Sequence, residues 1–448
     1  MRYTKYLLLL LLLASCASQR SDRLRNHRNA ITPDAPVAVP MSAPVVEEEA
    51  EEPEPVVSAR PLVSQVHRAP QGTWQHKKQQ ALDSLCQSPL FETTQLGLYV
   101  YDLTEGAPIY AVNAAHRMRP ASCQKLVTAI TALHFLKGNY KLHTDFRIKG
   151  KVVSRVLEGD LVVIGGMDPM VTEEELLQAA ASIRQQNGID SIAGNIVYDL
   201  SMREDVAFGW GWCWDDDCGP LSALLVDGKD TFQEKWPKAM REAGIRTLNS
   251  PFKKENQKTS PLRGGLEGSL VYSIRHDIDE LLLPMMKNSN NLYAECLFYQ
   301  IAASTGKKGA GRKQASQRTN ELLKHIGLNP EQYKVADGSG LSLYNYASAE
   351  MLVSLLGYAW RTQSIKEHLM TSLPTSGYDG TLQKRMVGTE AEGNVCAKTG
   401  TVTGISSLAG YITAANGHTL AFAIINQGVA SSAIGRAFQD KVCLELCR

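Results

Sequence analysis

The sequence carries almost no net charge of either sign: 47 Lys and Arg stand against 46 Asp and Glu, a formal +1 over 448 residues. A chain without a basic excess lacks the electrostatic footprint of a nucleic-acid binder, so no nucleic-acid partner is expected. Long apolar runs are missing as well. Beyond the first 16 residues no stretch approaches the roughly 18 residues of a spanning helix, which excludes a polytopic membrane protein. None of the ten histidines opens an HExxH or HxxE pattern, and no CxxC pair exists. The ligand spacing of a metallopeptidase or a zinc site is therefore absent, and no metal or other cofactor is expected. The G-x-S-x-G elbow of α/β-hydrolases is missing too. What remains is 44% hydrophobic and 21% charged. That is apolar enough to fold and long enough for two or three domains, since single cores rarely exceed roughly 250–300 residues.

The one long apolar run opens the chain. Arg2 and Lys5 flank the start of an unbroken leucine run, Leu7 to Leu13, too short to span a bilayer but of the length of a signal-peptide core. It closes on Leu13-Ala14-Ser15-Cys16, which resembles a bacterial lipobox. Residues 1–15 are thus expected to leave as a signal peptide, with lipid on Cys16 tying the protein to a bilayer. The expected location is the cell envelope, as a lipoprotein facing the periplasm; Ala17 after the cysteine leaves outer-membrane sorting open, with the inner membrane as the alternative. From 16 to 72 the chain shows no apolar period, only basic residues, prolines and the acidic run Glu47-Glu48-Glu49-Ala50-Glu51-Glu52. Such a segment cannot bury enough apolar surface to offset its ordering entropy. It reads as a disordered tether with a reach of roughly 40 Å. In an oxidising compartment some of Cys86, Cys123, Cys213, Cys218, Cys296, Cys396, Cys443 and Cys447 are expected to pair. Cys213 with Cys218, and Cys86 with Cys443 or Cys447, are the candidates, and spacing does not decide between pairings.

Folded sequence begins near Trp74. A helix over about 75–87 precedes the strand pattern Gln95–Leu103, a turn at Thr104-Glu105-Gly106-Ala107, and a returning strand Pro108–Val112. Pro120 then opens a helical pattern through Leu126, Ile130, Leu133 and Leu136. Near the other end three strand patterns follow one another, Asn394–Val402, Ser406–Thr413 and His418–Asn426. The last two are joined by Asn416-Gly417, a strong hairpin signal, and a final helix starts near Ser432. Two strands from the front and three from the back predict one antiparallel five-stranded sheet flanked by helices, an α+β fold. The stretch between, with strands Asp160–Gly165 and Ile192–Asp199, reads as an insertion with little evident chemistry.

Three short patterns carry chemistry. In Pro120-Ala121-Ser122-Cys123-Gln124-Lys125, positions i and i+3 place Ser122 and Lys125 on one helical face. The positive end of that helix favours a neutral amine beside a hydroxyl, an activated-nucleophile pair. S-x-x-K alone is cheap, since Ser250 to Lys253 and Ser304 to Lys307 match it too. Lys287-Asn288-Ser289-Asn290-Asn291 offers a hydroxyl and a carboxamide at the opening of a helix. Lys398-Thr399-Gly400, the one KTG, lies in a late strand, where alternation sends Lys398 and Gly400 to one face and Thr399 to the other.

S-x-x-K, S-x-N and KTG in this order form the signature set of penicillin-interacting serine enzymes. The sequence resembles the class C low-molecular-mass penicillin-binding proteins, the D-alanyl-D-alanine carboxypeptidase/endopeptidase family. Further landmarks carry the resemblance: Gly165-Gly166-Met167-Asp168-Pro169, Trp214-Asp215-Asp216, Leu221-Ser222-Ala223-Leu224, Asn291-Leu292-Tyr293-Ala294-Glu295, Asp337-Gly338-Ser339-Gly340-Leu341-Ser342 and Gly377-Tyr378-Asp379-Gly380-Thr381-Leu382. The family's S-D-N stands here as S-N-N, and Cys123 after the nucleophile has no role that the sequence assigns. The resemblance implies a DD-peptidase/β-lactamase-like transpeptidase fold over 73–145 and 263–448, with a large accessory region inserted at 146–262. It implies Ser122 as nucleophile, Lys125 as base, and Ser289 as proton relay. Asn291 would hold the acyl side-chain amide, Lys398 and Thr399 the terminal carboxylate, and the backbone N–H groups of Ser122 and Thr401 the oxyanion. Peptidoglycan peptides and β-lactam antibiotics are the implied partners. A β-lactamase would show E-x-x-L-N or Y-x-N, and neither occurs. An inactive cell-wall scaffold is the non-enzymatic alternative, separated from the enzyme by whether penicillin acylates Ser122.

Overall fold

A strand that buries both faces belongs at the centre of a covered sheet. β1 (Gln95–Asp102) does so, with Leu96, Leu98 and Val100 in one apolar cluster and Tyr99 and Tyr101 in another. The chain returns as β2 (Ala107–Val112), antiparallel to β1. α1 (Trp74–Cys86) precedes them, capped by the Thr73 hydroxyl on the His76 N–H. α2 (Gln124–Phe135) follows them after a 3-10 turn at Ala121–Cys123. The computed structural model describes residues 66–248, 252–253 and 268–448. The expected signal peptide, Cys16 and the tether up to residue 65 lie outside the described residues.

After α2 the chain builds a second sheet. β3 (Lys141–Val153) and β4 (Val156–Ile164) form a long hairpin. They lead to α3 (Glu173–Gln186), β5 (Ser191–Ile192), β6 (Ile196–Asp199), α4 (Phe232–Glu242), β7 (Arg246–Thr247), β8 (Phe252–Lys253) and β9 (Ser269–Asp277). The order is β7-β5-β4-β3-β9, with β6 beside β4 and β8 beside β6. The inserted region was expected at 146–262, but β3 pairs with β9 from Lys141 against Asp277 onward, so the second sheet overruns both bounds. At its ends polar His143, Asp145, Ser273 and Arg275 alternate with buried Leu142, Thr144, Phe146 and Ile274. The insertion also shares the main core: Met167, Leu221 and Leu225 pack in one cluster with Leu126 and Leu297.

One ion-pair network ties this region together. His276 of β9 places Nδ1 2.7 Å from Asp168 and Nε2 3.0 Å from Glu175. The bond to buried Asp168 raises the imidazole pKa to about 9, against the opposing effect of burial. A folded-state value above the unfolded one stabilises the protein below roughly pH 6.5 and loses that effect as pH rises through about 9. His276→Ala is expected to cost about 2 kcal/mol in denaturant unfolding near pH 7, and distinctly less above about pH 10. Equal costs at both would exclude the charge as the cause.

The rest of the chain returns to the first sheet through α5 (Ile278–Lys287), α6 (Asn291–Ala303), α7 (Arg312–His325), α8 (Ala349–Arg361) and α9 (Gln363–Ser372). It ends with β10 (Val395–Val402), β11 (Ile405–Thr413), β12 (Thr419–Gln427) and α10 (Ser432–Cys447). The strand order is β10-β11-β12-β1-β2, antiparallel throughout, as the strand patterns predict. α1 and α10 cover the Leu98 face through Leu82, Phe438 and Val442. α2, α5, α6 and α8 cover the Tyr99 face. β10 is left at an edge.

The expected disulfides are not formed; all eight described cysteines are free. Spacing does not set the Cβ geometry that a disulfide needs. Cys213 faces solvent while Cys218 packs inward. Cys443 and Cys447 sit in the α10 core, and the Cys86 thiol lies beside the Tyr110 hydroxyl.

Candidate active site

The chain arrives at Ser122 through Ala121, held at φ 47°. The 3-10 turn and the first turn of α2 then set Ser122 and Lys125 side by side, with Nζ 3.1 Å from Oγ. Lys125 is fully buried, and burial is the first cause that lowers its pKa to about 8, against the opposing pull of Asp337 and Glu295. Desolvation, rather than the positive helix end expected to do so, supplies the downward shift. Nζ also donates to Asn291 Oδ1 at 2.7 Å and to the Ser339 carbonyl at 2.8 Å. Both are pure acceptors. A neutral amine has two N–H bonds, and these two oxygens take both. Its lone pair is then left pointing at Ser122.

α6 brings the second motif. Ser289 sits at φ 60° before the helix, and Asn290 caps it by accepting from the Tyr293 N–H. An Asp at that position would cap equally well, which accounts for S-N-N in place of S-D-N. Asn291 follows in the first turn. The resemblance gave its amide to the substrate; here Oδ1 is on Lys125 and Nδ2 donates to the Asp217 carbonyl at 2.8 Å.

Strand β10 completes the arrangement. Lys398 Nζ donates to Ser289 Oγ at 2.9 Å and to the Thr399 carbonyl at 2.8 Å. Burial first, then repulsion from Lys125, lowers its pKa to about 7. A Cβ on Gly400 would lie 2.2 Å from Ser407 Oγ and 2.8 Å from the Pro120 carbonyl, so glycine there lets the strand press on the turn that carries Ser122. Cys123, left without a role by the sequence, fastens that contact: Sγ donates to the Lys398 carbonyl at 3.2 Å and lies 3.2 Å from Ser407 Oγ. Its thiol is pushed up by burial, which leaves it a packing group rather than a reactive thiolate. Thr399 points the other way and donates to Thr381 Oγ1 at 2.8 Å. Thr401 is exposed near the strand end, opposite Ser406.

The structure thus brings together two hydrogen-bonded groups, Ser122 with Lys125 and Asn291, and Ser289 with Lys398, whose lysines lie close enough to repel each other. It adds groups to which no role was given. Asp337 accepts from the N–H groups of Gly340 and Ser342, from Asn345 Nδ2 and from Trp212 Nε1, at 2.6 to 2.9 Å. That bonding folds the loop whose Ser339 carbonyl holds Lys125. A Cβ on Gly340, at φ 90°, would lie 1.9 Å from the Ala121 carbonyl. Buried Glu295 accepts from the N–H groups of Gly338 and Ser339 at 3.0 and 2.8 Å. The sequence held a signal for it, since Glu295 stands one turn beyond Asn291 on the same face. Trp212 and Asp217 come from the insertion, which is not chemically silent. Among the described residues no group of three His, Cys, Asp or Glu is arranged to hold a metal ion.

The model of the "D-Ala-D-Ala carboxypeptidase 3 (S13) family" matches residues 78–263 and 268–444. The chain is 27% identical to the D-alanyl-D-alanine carboxypeptidase of Actinomadura sp. (strain R39), over 82% of this chain and 83% of that protein. It is 25% identical to D-alanyl-D-alanine carboxypeptidase DacB of Haemophilus influenzae, over 74% of this chain and 85% of the relative. The crystal structure of penicillin binding protein 4 (dacB) from Haemophilus influenzae has the same fold, with a TM-score of 0.72 at 23% identity, covering 82% of this chain and 98% of that one.

Proposed function

This chain belongs to the D-Ala-D-Ala carboxypeptidase 3 (S13) family, and from that premise we propose how its residues divide the work of acyl transfer. It is a serine-type D-alanyl-D-alanine carboxypeptidase/endopeptidase of peptidoglycan and a penicillin-binding protein of the cell envelope. Ser122 Oγ attacks the carbonyl carbon of the D-Ala-D-Ala bond while Lys125 Nζ takes the hydroxyl proton. The peptide C–N bond breaks to give an ester on Ser122. Lys125 passes that proton by way of the Ser289 hydroxyl, which Lys398 holds in place, to the departing amine and is neutral again. The N–H groups of Ser122 and Thr401 receive the oxyanion, each worth about 3–4 kcal/mol in such sites. Asn291 binds the acyl side-chain amide, and Lys398 with Thr399 binds the terminal carboxylate. Water, deprotonated by Lys125 in turn, cleaves the ester and restores Ser122. The observation that carries this reading is the placement of Lys125 Nζ, with two obligate acceptors and the nucleophile around it.

The two lysines give the reaction a pH signature. They repel each other, so they titrate as a coupled pair with values near 7 and 8. A substrate carboxylate draws the remaining proton to Lys398 and leaves Lys125 neutral. The acylation rate is expected to climb as pH rises through about 8. Affinity for a carboxylate-bearing substrate is expected to weaken once Lys398 loses its charge. Stopped-flow acylation by a β-lactam across this range checks both; a rate falling with pH through about 8 would contradict the assignment of Lys125.

Cys16 belongs to the same proposal as the lipid-bearing residue of an outer-membrane lipoprotein, supported by the Leu13-Ala14-Ser15-Cys16 pattern. Cys16→Ala is expected to move the protein from the membrane fraction to the soluble fraction. Unchanged partitioning would count against the anchor.

A further inference from the structure

The hydroxyl of Thr399 does not stand alone. It lies 2.8 Å from that of Thr381, in an exposed contact beside edge strand β10. Thr381 belongs to a 3-10 turn, Gly380–Leu382, and the chain around it is pinned. Lys287 Nζ donates to Asp379 Oδ2 and to the Leu373 carbonyl, each at 2.6 Å. Asp379 Oδ1 accepts from the Thr375 N–H at 2.8 Å. A Cβ on Gly380, at φ 54°, would lie 2.5 Å from the Lys287 carbonyl, so the turn rests on the segment that leads into Ser289. The connections close a ring: Lys287 leads through Asp379 and Thr381 to Thr399, and Lys398 beside it leads back to Ser289.

We propose that Thr381 is a specificity-determining residue, the second hydroxyl of a clamp that receives the terminal carboxylate of the substrate between Thr381 and Thr399. This inference rests on the reading that Lys398 and Thr399 bind that carboxylate. Lys398 is fully buried, with N–H bonds already given to Ser289 Oγ and the Thr399 carbonyl. It supplies charge, while the donors that reach solvent beside it are the two hydroxyls. A carboxylate has two oxygens and only accepts. Thr399 gives its one proton to Thr381, so a carboxylate held by Thr399 alone would take that proton and leave Thr381 without it. With both hydroxyls turned outward, each oxygen of the carboxylate takes one O–H, and bonds to a charged acceptor are the stronger kind. The exchange needs only the rotation of two hydroxyls, because the Lys287–Asp379 pair already holds the turn. The ligand class that such a clamp selects is an acyl compound with a free carboxylate on the carbon next to the departing nitrogen.

The test compares acylation of the full-length protein by benzylpenicillin and by benzylpenicillin methyl ester, which present the same ring with and without the charge. Thr381→Val keeps the shape and removes the hydroxyl. The turn keeps its bonds from Lys287 and Thr375 to Asp379, so the exposed substitution leaves the fold in place. The acylation rate constant with the free acid is expected to fall about tenfold, while that with the ester stays near wild type. Thr381→Ser returns the hydroxyl and is expected to return the preference for the acid. Equal losses with acid and ester would make Thr381 a prop for the turn and overturn the proposal. A Thr381→Ser variant that fails to rescue would overturn it as well. A wild type that does not prefer the acid would overturn the role given to Lys398 and Thr399, and this inference with it. A wild-type preference that Thr381→Val leaves intact overturns this inference alone.

Discussion

Ser122→Ala is expected to abolish covalent labelling by β-lactams and to lower peptide hydrolysis by about 10⁵-fold or more, the scale seen when a nucleophile that acts as one unit with its base is removed. The substitution deletes one oxygen, which lies 3.1 Å from Lys125 Nζ. The other two partners of Lys125, Asn291 and the Ser339 carbonyl, are untouched. Unfolding in denaturant should therefore stay within about 1 kcal/mol of wild type, the net worth of one hydrogen bond. Labelling of the variant at the wild-type rate would remove Ser122 from the chemistry.

Lys125→Met has the second-largest expected effect. Methionine has a similar length and fits an apolar slot, but it can neither take the Ser122 proton nor serve Asn291 Oδ1 and the Ser339 carbonyl. Acylation should fall by about 10³- to 10⁴-fold, the upper part of the range for general-base loss. Two buried acceptors left unpaired cost about 1–3 kcal/mol each, partly offset because the wild-type lysine is itself expensive to bury. The informative reading is the shape of the residual pH profile. If Lys125 is the base, the limb through about 8 disappears with it. Persistence of that limb at reduced rate would assign it to another group, with Lys398 the first to examine.

The central sheet is legible in the sequence for a physical reason. β1, β11 and β12 are buried on both faces, so each is a dense apolar run between turn residues such as Asn416-Gly417. β3 and β9 are legible only in part. His143, Asp145, Ser273 and Arg275 face solvent or one another, and the pairing that binds the two strands is made by backbone, which has no letter code. The site divides along the same line. Ser122, Lys125, Ser289, Asn291 and Lys398 could be read because side-chain type and local spacing carry their placement. The Asp217 carbonyl on Asn291 could not, since any residue supplies a carbonyl. Glu295 and Asp337 stood in landmark stretches without a role, because a carboxylate acquires one only when the fold sets it beside a buried lysine. The cysteines went the other way. Their spacing invited disulfides, while the folded chain points Cys213 outward and Cys218 inward.

Intact-mass measurement of the folded protein after exposure to benzylpenicillin, with peptide mapping of the adduct, bears most directly on the acyl-transfer reading. One added penicilloyl group on the peptide that carries Ser122 is the predicted result, since ring opening by Oγ leaves the antibiotic esterified there. A folded protein that takes up no adduct, or takes it up on a peptide without Ser122, would contradict the assignment of nucleophile and base together.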